Sequence, residues 1–364
     1  MAATEIVTTR VRTRIVSESV LLFATVAAYA VWQLGGQIDT WYHGHYGFEI
    51  ESFVTWPHAL LYAGWVASTT PAVLYLIESR ALGAPRDALL PPGYALVILG
   101  GAVFGIGGVL DLAWHNAFGF EVGHEALVSP THLVLIYSSG VGVTGLLWAA
   151  VAWRRRAGGV GTLAGNAAVA LSLGLLLKVT LFAFLYSLPF STDYASEGTI
   201  ARNLFGFAGI RAWADMTAQV AGTTGMILYG ILLALFVTVP LRRLRLPAGA
   251  IATIVLWTAA LMWVATPEFW IYLPAAVAAA LVGETLWMLV RRGAWGGSDG
   301  RVGYWLIAFA VPATQLYAYF ALMAAFSGGI SWSTALWTGA PLLAGIYGLI
   351  ATAFAIPPRF AEES

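Results

Sequence analysis

Apolar runs of about 18 to 25 residues alternate along the chain with short polar connections, and each is long enough to cross ~30 Å of hydrocarbon as an α-helix. Ten spans are expected, at roughly 17–36, 54–77, 92–112, 130–153, 162–189, 214–240, 248–266, 270–290, 302–326 and 335–356. Strands of a membrane barrel would be shorter and would alternate apolar with polar positions. The pattern therefore predicts an all-α, polytopic membrane helix bundle, with residues 1–364 as a single integral membrane domain. The seventh and eighth spans are separated only by the Thr266-Pro267-Glu268 turn. The first run lacks a small-residue cleavage site and reads as a retained helix. An even number of spans places both termini on one side.

Composition supports this reading. Hydrophobic residues make up 59% of the chain and charged residues 10%, with a mean hydropathy of +0.78, which excludes a soluble domain. The partner implied is the lipid bilayer, and zero formal charge makes nucleic acid an unsuitable one. The arginines then orient the bundle. Those at 80 and 86, 154 to 156, 242, 243 and 245, and 291, 292 and 301 follow the even-numbered spans, with Arg10, Arg12 and Arg14 before the first span and Arg359 after the last. Fifteen of the 17 arginines thus fall on one face, the cytoplasmic one by the positive-inside rule, together with both termini. A multi-pass protein of the cell membrane is expected, its odd-to-even connections facing the extracytoplasmic side. Trp32, Trp41, Trp56, Trp114, Trp213, Trp270 and Trp332 are expected near that outer boundary.

The polar residues of the first two outer connections repeat. Gly35-Gly36-x-x-Asp39-x-x-x-His43-x-x-Tyr46-Gly47-Phe48-Glu49 leads to Pro57-His58, and 72 positions later Gly107-Gly108-x-x-Asp111-x-x-x-His115-x-x-Phe118-Gly119-Phe120-Glu121 leads to Pro130-Thr131-His132. All six histidines lie between 43 and 132. Two parallel helix-loop-helix repeats are expected, over about 17–77 and 92–153, with the remaining helices at 162–356. An Asp and a His four apart at a helix end share one face and can grip one ion. Pro57 and Pro130 read as the first turn of the following helix, where Ser129 is a possible N-cap, so His58 and His132 can complete each set.

Two candidate metal sites follow, Asp39/His43/His58 and Asp111/His115/His132, each with a coordination position left for water, dioxygen or substrate. Glu49 and Glu121 are candidates for a fourth ligand, for partners orienting a His ring, or for solvated loop acids. His45 and His124 do not match between the copies and read as loop histidines or metal-entry contacts. Without cysteine there are no disulfides and no thiolate ligands. Imidazole with carboxylate suits copper, zinc or iron; copper tops the affinity order and is the first choice, zinc the second. The competing reading is architectural: a duplicated turn in which Asp caps a helix end and paired glycines let helices approach.

The second copy, Asp111-x-x-Trp114-His115 followed by Ser129-Pro130-x-His132, resembles the metal-site segment of the C subunit of copper membrane monooxygenases, the particulate methane and ammonia monooxygenases. That resemblance covers residues 35–140 and implies copper ligation by Asp111, His115 and His132, with a second site at Asp39, His43 and His58. It further implies partner membrane subunits, electrons from a quinol, and hydroxylation of a small apolar substrate by dioxygen. This chain departs from the family in its longer His-to-His spacing, in Asp39 where the family has Asn, and in its greater length. A copper or zinc transport role is the alternative, and a structural membrane protein the second alternative. The methionines form no Met-x-x-Met series to serve an importer.

Two charges fall inside predicted spans. Lys178, the only lysine, lies near the middle of the fifth span, and Glu284 lies in the eighth, close to its cytoplasmic end. A buried cation in hydrocarbon is costly unless paired or hydrated, so Lys178 is expected to belong to a proton path or to pair with Glu284, the alternative being that it snorkels. The third long outer connection carries Asp193, Glu197, Arg202, Arg211 and Asp215, which read as a salt-bridged lid or a solvated loop.

Overall fold

A computed structural model describes residues 16–46, 55–119, 121, 125–156, 162–192, 194–196, 216–263 and 267–357. Their long helices are α1 (Glu18–Tyr46), α2 (Trp56–Ala81), α3 (Tyr94–Phe118), α4 (Pro130–Arg156), α5 (Leu163–Phe182), α6 (Met216–Leu244), α7 (Ala250–Trp263), α8 (Leu273–Arg291), α9 (Val302–Phe326) and α10 (Thr334–Ala355). Nine of these, all but α7, are long and apolar enough to cross a membrane. Among the described residues there is no strand, only an isolated antiparallel bridge between Ser196 and Ile330.

Helices α1 and α2 pair, as do α3 and α4, and the two pairs meet where α2 packs on α3. Helices α6, α8, α9 and α10 form the other half, and α5 lies between the halves against α1, α4, α6 and α7. A helix buried on all sides has no polar face to show, and α5 is the most enclosed of the candidate spans. Small residues let the backbones close in. At Gly35 an added Cβ would lie 2.6 Å from the Leu61 backbone, so α1 and α2 touch main chain to main chain just before Asp39.

Several expected boundaries shift, each for a local reason. Helix α1 runs to Tyr46 rather than to 36, and α3 to Phe118 rather than 112. At 1.5 Å per residue α1 is about 44 Å long, more than the ~30 Å hydrocarbon needs, so its polar last turns extend the helix instead of forming a loop. Helix α5 ends at Phe182 rather than 189: Phe184 leaves helical geometry (φ −118°, ψ 15°), a 3₁₀ turn covers Leu185–Ser187, and Leu188 is extended ahead of Pro189 (φ −77°, ψ 137°).

The seventh expected span, 248–266, is replaced by the 14-residue α7. Past the undescribed residues 264–266 the chain is a 3₁₀ turn, Pro267–Tyr272, whose Trp270 indole N–H donates to the terminal Trp263 carbonyl at 2.6 Å. Trp32 and Trp332 are buried, Trp32 against Tyr29 and Phe104 and Trp332 in the connection between α9 and α10, while Trp56 and Trp270 are exposed. Trp213 and the charged residues proposed as a lid, Asp193, Glu197, Arg202, Arg211 and Asp215, lie outside the described residues.

Candidate metal centre

The final turns of α1 carry Asp39 and His43, and the first turn of α2 carries His58. Thr55 caps α2, its hydroxyl oxygen accepting the His58 backbone N–H, and Pro57 follows in the first turn, where a missing N–H costs nothing. The cap therefore sets the position of His58. Asp39 then faces both histidines: Oδ1 lies 3.3 Å from His43 Nε2 and Oδ2 lies 3.6 Å from His58 Nε2. The two rings are 5.4 Å apart at 53°.

The second hairpin builds the same figure. Asp111 Oδ2 is 3.3 Å from His115 Nε2, Oδ1 is 3.5 Å from His132 Nε2, and the rings are 5.5 Å apart, again at 53°. His132 Nδ1 lies 2.8 Å from the Ser129 hydroxyl, as His58 Nδ1 lies 3.0 Å from that of Thr55. In each group one carboxylate oxygen and two imidazole nitrogens fall within 4.8 Å of one another. Ligands about 2.0–2.2 Å from a common ion sit roughly 3–3.6 Å apart, and the carboxylate-to-imidazole separations match that spacing.

The donor chemistry fits an ion as well as the distances do. His115 Nδ1 lies 3.3 Å from the Gly119 carbonyl, which can only accept, so that nitrogen carries the ring proton; a Glu121 carboxylate oxygen lies 3.4 Å away without hydrogen-bond geometry. His115 Nε2 then faces the Asp111 carboxyl, a contact that takes a proton on either group or a metal ion between them. Among the described residues the buried Asp111 Oδ1 accepts no hydrogen bond. A carboxylate behind a histidine whose other nitrogen points at an ion is the arrangement that orients metal ligands in many proteins. Glu121 lies close to the His115 ring and outside the three-residue group.

The groups are neighbours at one end of the bundle. Tyr62 joins them: its ring lies 6.3 Å from that of His58, at 24°. Tyr62 stands one turn after His58 and directs its hydroxyl at Gly108, where a Cβ would come within 2.9 Å. Sequence reasoning passed over Tyr62, because the duplication has Ile136 in its place. It also passed over Thr55, although a hydroxyl residue precedes the second-helix His by three positions in both copies.

Other expected site residues fall elsewhere. His45 joins neither group: its Nδ1 lies 2.9 Å from the Trp41 carbonyl, and its Nε2 lies 3.4 Å from Glu268, whose Oε1 also accepts the Trp41 indole N–H at 3.1 Å. Glu49 and His124 lie outside the described residues. Lys178 and Glu284 do not pair. Glu284 instead accepts the Gly249 and Ala252 backbone N–H groups at 2.9 and 3.0 Å, capping α7, because the start of a helix offers unpaired donors to a carboxylate. Lys178 is buried, donates to the Gln33 carbonyl at 3.1 Å and lies 4.3 Å from the centre of the Phe182 ring.

Comparison with known proteins yields no match to a family model, to a characterised protein or to a solved structure.

Proposed function

We propose that this protein is a membrane metalloprotein whose Asp39/His43/His58 and Asp111/His115/His132 groups each hold a metal ion, copper before zinc or iron, and that it serves as a subunit of a copper membrane monooxygenase or a close analogue. The observation that carries the reading is the recurrence of one geometry in two hairpins, down to the hydroxyl behind the second histidine. A donor set of two imidazoles and a carboxylate without thiolate suits copper best. Copper bound there supplies one-electron chemistry toward dioxygen.

The chain's own residues do the remaining work. Asp111 and Asp39 each span two imidazoles, Glu121 fixes the His115 ring, and Ser129 and Thr55 hold the Nδ1 side of His132 and His58. Tyr62 stands between the groups. On α3 the exposed Ile106, Val109, Leu110 and Leu112 give an apolar approach to the second group, suited to a small substrate dissolved in lipid or to a partner subunit. The arginine distribution puts both groups on the extracytoplasmic side, where a quinol or another membrane donor supplies electrons. A transport role finds less support, since no histidine lies beyond 132 and Glu284 is committed to capping α7.

Elemental analysis of protein purified from native-like membranes tests this. Near-stoichiometric copper is expected, lost from one group in Asp111→Ala/His115→Ala and from the other in Asp39→Ala/His43→Ala. Zinc in place of copper redirects the reading to hydrolysis or metal handling. No metal after reconstitution with either ion removes it and leaves the duplicated hairpins as architecture.

A further inference from the structure

Helix α1 carries a second line of polar side chains, distinct from the one that ends in Asp39. Gln33, Gln37 and Trp41 follow one another at four-residue spacing and so share a face. That face is turned toward α5 and the segment after α7. Gln33 Nε2 donates to the Leu175 carbonyl at 3.1 Å, and the Trp41 indole donates to Glu268. Gln33 and Gln37 are 4% and 1% exposed. Neither amide oxygen accepts a hydrogen bond among the described residues, and Lys178, 2% exposed, has one acceptor for its three N–H donors.

Spare donors and spare acceptors on one buried face are complementary, and a water accepts from the first kind and donates to the second. Leaving a buried polar group without a partner costs about 1–3 kcal/mol each, whereas a buried water with two to four polar neighbours removes that cost. A cation in the middle of a membrane span has the same requirement: water, or a partner. Among the described residues no carboxylate pairs with Lys178. We infer that the α1–α5 interface holds a file of ordered water along Gln33 and Gln37 that carries protons between Lys178 and the bundle end at Glu268. A proton leaving Nζ passes to the water on Gln33 and onward along the file toward Glu268, and the reverse passage restores the ammonium. The inference is independent of what the Asp/His/His groups hold.

A single lysine makes the test direct, because protein labelled with [¹⁵N]lysine and placed in lipid nanodiscs has one side-chain amine signal. Cross-peaks between that amine and water are expected, with proton exchange slowed at least tenfold in Gln37→Met, which fills the seam with a side chain of similar volume. Thr352→Val, on α10, where the hydroxyl faces Thr238, is expected to leave the exchange as it was. A Lys178 amine without water cross-peaks overturns the inference, as does exchange unchanged in Gln37→Met. If Gln37→Met does not accumulate, the wild-type cross-peak decides alone.

Discussion

The two Asp/His/His groups share their geometry and differ in what surrounds it. Asp39 retains 17% side-chain exposure and Asp111 only 3%. The first hairpin is held by main-chain contact at Gly35, with Leu61 2.6 Å from a built Cβ, whereas the corresponding Gly107 meets only side-chain methyl groups of Leu135 and Val134 at 3.0 Å. The second group has Glu121 behind His115; the first is flanked by the Trp41–Glu268–His45 contact, which joins α1 to the other half of the bundle. The ligand figure is therefore carried by the local Asp-x-x-x-His and cap-to-His spacings, and the surroundings are free to diverge. One group is a buried carboxylate with a dedicated orienting partner, the other a more open site tied to the far helices.

The comparison breaks most visibly at the paired glycines. Gly35→Ala places a methyl group against backbone that cannot yield without separating α1 from α2, and a loss of about 3 kcal/mol or more is expected. Gly107→Ala asks only for small shifts of Leu135 and Val134, offset in part by the helix propensity of alanine, and a net change of about 1 kcal/mol or less is expected. Thermal unfolding in detergent or nanodiscs measures both, and equal losses would show that the two hairpins are not packed differently.

At the ligands, Asp111→Ala removes the carboxylate that faces two imidazoles, one through each oxygen, and is expected to abolish binding at the second group while the first keeps its ion. Titration with copper followed by elemental analysis reads this, and loss of both ions would mean that the groups form one coupled centre. Glu121→Gln weakens the acceptor behind His115 and is expected to lower affinity at the second group alone by about 10–100-fold. The smallest effects belong to the hydroxyls beside His58 and His132. Thr55→Ala and Ser129→Ala are each expected to cost about 1 kcal/mol of stability and to loosen the ring of His58 or His132. Similar changes in the two variants would support equivalent roles, and a larger one at Ser129 would show that the buried group depends more on its hydroxyl.

Much of the candidate site was legible because its residues are near neighbours in sequence. Asp39 and His43, or Asp111 and His115, are brought together by helical periodicity, and Pro57 and Pro130 mark where the next helix delivers its histidine. The boundaries were less legible. Hydropathy ends α1 at 36 because it counts lipid-compatible residues, yet the helix continues to Tyr46, since helix needs hydrogen bonds and packing rather than lipid. The short α7 was hidden for a similar reason: its apolar run continues past Trp263, but an indole from the next turn takes the terminal carbonyl.

The sequence by itself determined that the chain is an all-helical membrane bundle and that two Asp/His/His sets recur in it, because hydropathy, helical spacing and duplication are all local. Only the tertiary structure decided which polar residues meet across distance. It brought Tyr62 between the groups, set Glu121 behind His115, committed Glu284 to α7 rather than to Lys178, and laid Lys178 against Gln33. Those partnerships join residues from 32 to 145 positions apart, or lie across a helix end, and they depend on which helix faces pack together, which no local spacing encodes.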